Sequence, residues 1–131
     1  MMFLLYLIPF IPAFIWTILI IVLSTANPQN IPDFNIFSQD KIYHFAAYML
    51  MSALWIWGFY KIEKNKNSLQ LKIVFLCGVL GLLMEIVQWA FFPMRSFDWA
   101  DGIANFTGAI IGFFFIKKYF SISNTRGSKM P

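Results

Sequence analysis

The only histidine of this 131-residue chain, His44, and four of its six acidic residues, Asp40, Glu85, Asp98 and Asp101, lie in stretches that are otherwise strongly apolar. Lys41, Tyr48, Gln88, Arg95 and Asn105 accompany them. These side chains define three kinds of chemistry. A carboxyl beside an imidazole exchanges protons, which makes Glu85 and His44 the candidate general base and acid. Arg95 and Lys41 are suited to a phosphate or carboxylate. Carboxylates three apart on a helix, Asp98 and Asp101, with Glu85 and His44 form a conceivable divalent-cation set. Nothing else in the sequence marks a metal centre or a cofactor, and none is expected: there is no HExxH pair, phosphate loop or nucleophile motif.

Spacing puts each group on one helix face. Asp40, Lys41, His44 and Tyr48 fall at i, i+1, i+4 and i+8, a sector of about 100°. Glu85 and Gln88 are three apart. Asp98, Asp101, Asn105, Gly108 and Gly112 fall within about 80°. At ~1.5 Å of rise per residue, Tyr48, Glu85 and Asn105 all lie about 10–12 Å below the outer ends of their helices. Polar groups facing lipid at that depth are costly, so the three stripes are expected to face one another and form one ligand-binding site. Plainer roles stand beside this. Asp40 serves equally as a helix cap, Lys41 as a cation reaching the headgroups, and Tyr48 as an interhelical hydrogen bond. Arg95, Asp98 and Asp101 serve equally as an ion-pair cluster, and Gly108 and Gly112 as a GxxxG packing surface.

The elements that must position these residues are membrane helices. Apolar residues make up 60% of the chain and charged residues 12%, about half the usual charged share of a soluble domain. The expected fold is all-α: an integral membrane bundle of four transmembrane helices at about 3–24, 40–60, 71–92 and 98–118, followed by a polar cytoplasmic tail over 119–131. Pro9 and Pro12 kink the first helix or shape its start. That run lacks a basic leader and is too long for the apolar core of a signal peptide, so a retained helix is expected. Between the first two helices, Phe34, Ile36 and Phe37 are too apolar for a free loop; they dock on headgroups or form a lid.

Eight of the ten cations flank the second loop and the C-terminus: Lys61, Lys64, Lys66, Lys72, Lys117, Lys118, Arg126 and Lys129. The positive-inside rule then puts both termini in the cytoplasm and Arg95 with the polar site on the outer side. The same distribution argues against nucleic acid, because the cations sit at the ends of apolar runs and not on a binding face. Cys77 is the only cysteine and reads as a small buried hydrophobe.

The set D-K-x-x-H-x-x-x-Y (Asp40, Lys41, His44, Tyr48), E-x-x-Q (Glu85, Gln88) and R-x-x-D-x-x-D-x-x-x-N-x-x-G-x-x-x-G (Arg95 to Gly112) resembles the VanZ-like family of small bacterial membrane proteins. Founding members of that family are linked to resistance against the glycopeptide teicoplanin. The resemblance implies a multi-pass protein of the bacterial inner (plasma) membrane with an envelope role, and it supplies no reaction. Three functions follow from the residues and this context. The first is binding of an anionic envelope lipid or lipid-linked cell-wall precursor. The second is an enzyme acting on lipid-linked phosphates through Glu85 and His44. The third is a small proton-coupled transporter. Membrane lipids are the expected partners, and association into a homo-oligomer or larger membrane complex stays open.

Overall fold

A computed structural model describes residues 6–25, 37–63, 67–92 and 95–127. Every regular element among them is helical. A 3-10 turn at Ile8–Phe10 leads into α1 (Ile11–Ser24), followed by α2 (Phe37–Glu63), α3 (Asn67–Phe91) and α4 (Trp99–Gly127). Three segments, Asp40–Ile62, Asn67–Phe91 and Trp99–Ser123, are long and apolar enough to cross a membrane; Ile8–Ser24 is a shorter apolar helix.

Helix ends fall where backbone chemistry puts them, not where apolarity stops. Pro9 and Pro12 each stand at the second position of their element, the 3-10 turn and α1, where a missing N–H is no loss, so they shape the start of the helix. At the other ends the expected boundaries were too short. Phe37 to Gln39, Lys61 to Glu63 and Asn67 to Gln70, read as loop, are helical, and α4 runs past Lys118 to Gly127. None of these residues breaks a helix before Gly127, and polar side chains can complete helical turns in the headgroup zone. Of the expected lid, Phe34 and Ile36 lie outside the described residues.

The helices alternate in direction. Thr17 on α1 meets Trp55 on α2, and Phe10 meets Phe59, so α1 and α2 are antiparallel. Lys41 meets Asp101 and Tyr60 stacks on Phe120, a constant offset in sequence that makes α2 and α4 parallel. Gly81 and Gly78 on α3 face Asn105 and Phe106 on α4, which runs the opposite way. Ser24, Asp40, Gln88 and Asp98 therefore share one end of the bundle. Lys61, Lys72, Lys117 and Lys118 share the other.

The α2–α4 contact is the spine. A Cβ added to Gly108 would collide with the Phe45 carbonyl, and one added to Gly112 with the Met49 carbonyl and Ser52 Oγ. The GxxxG therefore brings two backbones into contact. Ser52, buried between them, donates to the Ala109 carbonyl at 2.9 Å. On the other flank, the Trp16 indole donates to the Ala47 carbonyl at 2.9 Å and the Trp55 indole to Thr17 Oγ1 at 3.1 Å, fixing α1 to α2. The outward faces are apolar, with Ile15, Ile18, Phe75, Leu76, Phe114 and Phe115 exposed. A surface of that kind is suited to hydrocarbon.

Candidate functional site

Asp98 begins the site because it begins α4. Its Oδ1 accepts the Ala100 N–H at 2.8 Å and its carbonyl accepts the Asp101 N–H at 3.2 Å, the arrangement of an N-cap. Its Oδ2 accepts Lys41 Nζ from α2 at 2.7 Å. Lys41 also donates to Asp101 Oδ1 at 3.1 Å. The Lys41 ammonium, followed by the Ala100 N–H, holds the Asp98 carboxyl below the usual carboxylate range. Lys41 is therefore an interhelical clamp and not a cation reaching for headgroups. Asp40 stands within the first turn of α2, where its charge favours the helix dipole, but the helix starts at Phe37, so Asp40 is not its cap.

One turn inward, His44 is the hub. Its Nδ1 lies 3.1 Å from Asn105 Oδ1 on α4 and 3.8 Å from Glu85 Oε1 on α3. Its Nε2 lies 3.7 Å from Asp40 Oδ1, one helical turn away on α2. Glu85 is 2% exposed and Asn105 fully buried. Tyr48, 2% exposed, follows on the same face of α2 one turn deeper. The expected common depth of Tyr48, Glu85 and Asn105 needs one adjustment. Residues 95–98 are not helical, and the backbone of Asp98 reaches the Glu85 carboxyl. Asn105 consequently packs over Gly81, one turn below Glu85, and His44 bridges the step.

Three atoms in this neighbourhood make no hydrogen bond although they are buried: Tyr48 Oη, Glu85 Oε1 and Asn105 Nδ2. They come from three different helices. A buried polar group without a partner costs about 1–3 kcal/mol. Asn105 and Glu85 face the His44 imidazole and Tyr48 lies one turn deeper on α2, so unmet hydrogen-bonding capacity from three helices collects in this part of the bundle.

Two predicted members stand apart. Gln88, one turn nearer the end of α3 than Glu85, donates through Nε2 to the Ser24 carbonyl at 3.0 Å, satisfying one of the unpaired carbonyls at the end of α1. Arg95 lies in the connection before α4, where its N–H closes a turn onto the Phe92 carbonyl at 2.9 Å. Among the described residues Arg95 makes no ion pair within 4.0 Å, so the expected Arg95–Asp98–Asp101 cluster forms around Lys41 instead. Beside the site, Leu82, Ile86, Trp89, Phe97 and Trp99 line an open apolar groove of about 460 Å³. Phe97 and Trp99 flank Asp98 in sequence, so groove and polar end adjoin.

A family model described as VanZ/LLP1 matches residues 3–121. The chain belongs to the VanZ/LLP1 family. The match takes in all the polar residues named above and nearly the whole helical bundle, in agreement with the resemblance carried by the Asp40–Tyr48, Glu85–Gln88 and Arg95–Gly112 patterns. Neither curated proteins nor solved structures give a significant match. With its long apolar helices, this VanZ/LLP1 chain is a small membrane protein. Two groups that position the VanZ/LLP1 site were not anticipated. Ser52 and the indole N–H groups of Trp16 and Trp55 bond across helices. The two tryptophans look like the aromatic run around them, and the single hydroxyl of Ser52 has no partner that spacing could name.

Proposed function

We propose that this protein crosses the bacterial plasma membrane four times, with both termini cytoplasmic, and binds a phosphate-bearing envelope lipid at the outer end of its bundle. A lipid-linked cell-wall precursor is a member of that class. The observation that carries the reading is that buried atoms without hydrogen-bond partners on α2, α3 and α4, Tyr48 Oη, Glu85 Oε1 and Asn105 Nδ2, lie near an apolar groove. A lipid needs both parts: a polar site for its head and an apolar crevice for its tail. Arg95, without an ion-pair partner among the described residues, supplies the anion-binding group. The orientation is supported by Lys61, Lys72, Lys117 and Lys118 gathering at the end opposite Lys41 and Arg95. On this reading the phenotype to seek is shielding of a wall precursor from teicoplanin.

Native mass spectrometry of protein purified in mild detergent tests the proposal. Wild type retains a phosphate-bearing lipid, and Arg95→Ala weakens retention about tenfold or more, the worth of one charge-assisted hydrogen bond. Equal retention by the two proteins contradicts it.

One distance favours a second reading. His44 Nδ1 lies 3.8 Å from Glu85 Oε1, close enough for the pair to share proton transfers with a bound substrate. Turnover of an isoprenoid phosphate by the purified protein, abolished in Glu85→Gln, identifies an enzyme. No turnover leaves a binding protein.

A further inference from the structure

Asp40, Glu85, Asp98 and Asp101 are four carboxyl groups gathered around one ammonium, Lys41, and one imidazole. Carboxyl groups there outnumber the ammonium four to one, and Arg95, in the connection before α4, makes no ion pair with them among the described residues. Arg95 attracts an anionic headgroup from the connection, and a cation among the carboxyl groups themselves would favour its approach from that side too. Lys41 does not meet the need, because Asp98 and Asp101 already hold it at 2.7 and 3.1 Å.

The donors for such a cation are present. Asp40, His44 and Asp101 each offer a ligand atom, and these atoms lie within 4.8 Å of one another. Ligands about 2.1 Å from one ion stand roughly 3–4.2 Å apart, so small side-chain movements close the set. The imidazole is oriented for the task. Asn105 Oδ1 is an acceptor, so its 3.1 Å contact puts the proton on His44 Nδ1. That leaves the lone pair on Nε2, the nitrogen facing Asp40 at 3.7 Å. The second, independent observation is Glu85. It is 2% exposed, its Oε1 has no hydrogen-bond donor, and it is aimed at His44 from α3 at 3.8 Å. The Asp98 backbone reaches this carboxyl but leaves Oε1 without a donor, and a buried carboxyl oxygen in that state favours a donor or positive charge nearby.

We infer that Asp40, His44 and Asp101 form a divalent-cation site at the polar end of the bundle, with Glu85 supplying charge behind the imidazole. One nitrogen and two carboxylates suit a first-row ion such as Mn²⁺ or Zn²⁺. This set differs from the one spacing alone offers: Asp98 is taken by Lys41 and the cap of α4, and Asp40 stands in its place. Its extension to function rests on the lipid reading above, in which the ion joins the acidic site to the phosphate.

The test uses the full chain, stripped with a chelator and held in lipid-free detergent, titrated with Mn²⁺ and followed by electron paramagnetic resonance. One Mn²⁺ binds per chain, Zn²⁺ displaces it, and His44→Ala and Asp40→Asn each weaken it at least tenfold, on the order of what loss of one supporting ligand does. Asp40 is 64% exposed and unneeded for packing, so Asp40→Asn remains informative if His44→Ala misfolds. No Mn²⁺ or Zn²⁺ bound by wild type, or equal binding by wild type and Asp40→Asn, overturns the site. Lipid retention is measured separately, with and without chelator. Mn²⁺ bound without retained lipid supports the site and overturns the lipid reading. Lipid retained by a protein that binds no metal does the reverse.

Discussion

Lys41 on α2 and Asp98 at the head of α4 are joined at 2.7 Å through the same carboxylate that caps α4. One oxygen starts a helix and the other fixes its neighbour. Lys41 spans onward to Asp101, whose side chain is 8% exposed. Removing the ammonium leaves the nearly buried Asp101 carboxyl without that partner. Lys41→Met therefore destabilises the bundle by an amount between the ~0–1 kcal/mol of an exposed pair and the ~3–5 kcal/mol of a buried one. Adding Asp101→Asn to Lys41→Met restores part of the loss. Thermal unfolding in detergent with chelator present checks this. Strictly additive effects contradict the clamp.

The parallel α2–α4 spine makes a graded prediction about glycine. Gly108→Ala drives a methyl into the Phe45 backbone, and Gly112→Ala into Met49 and Ser52. Backbone cannot yield as a side chain can, so each lowers stability by about 1–3 kcal/mol. Gly102→Ala, whose nearest neighbour is Leu82 at 3.8 Å, is tolerated. Melting temperatures of the three variants give the comparison, and a Gly108→Ala melt no lower than that of Gly102→Ala contradicts the packing.

Orientation is open to direct labelling. In a Cys77→Ser background, Ser96→Cys, exposed in the connection before α4, reacts with a membrane-impermeant maleimide added to intact spheroplasts. Ser68→Cys, exposed at the opposite end on α3, reacts only after lysis. The reverse pattern inverts the topology.

Much of this site was legible because its members are out of place. His44 and Glu85 are ionisable residues inside apolar helices, and neither aids helix formation, so their types alone mark them. Helical spacing then gives the faces. What sequence did not give was register. That Lys41 meets Asp98 and Asp101 depends on α2 and α4 running parallel with a fixed offset, set by Gly108 and Gly112 against Phe45 and Met49. Gln88 shows the limit of the face argument. Three residues from Glu85 it shares a face, yet one turn nearer the helix end its neighbour is the end of α1, and its amide serves Ser24. Helix ends were hidden for another reason: Lys, Asn and Gln hold helix beyond the apolar span as readily as they hold loop.

The central claim, a phosphate-bearing lipid held at the outer end between α3 and α4, is tested most directly by site-specific photocrosslinking in living cells. A photoreactive residue at Trp99, on the groove beside Asp98, is compared with one at Phe115, exposed on the lower part of the same helix. The lipid adducts are then identified by mass spectrometry. One phosphate-bearing envelope lipid is enriched over bulk lipid at Trp99 and not at Phe115, and the enrichment is lost in Arg95→Ala. The same bulk lipid mixture at both positions contradicts it.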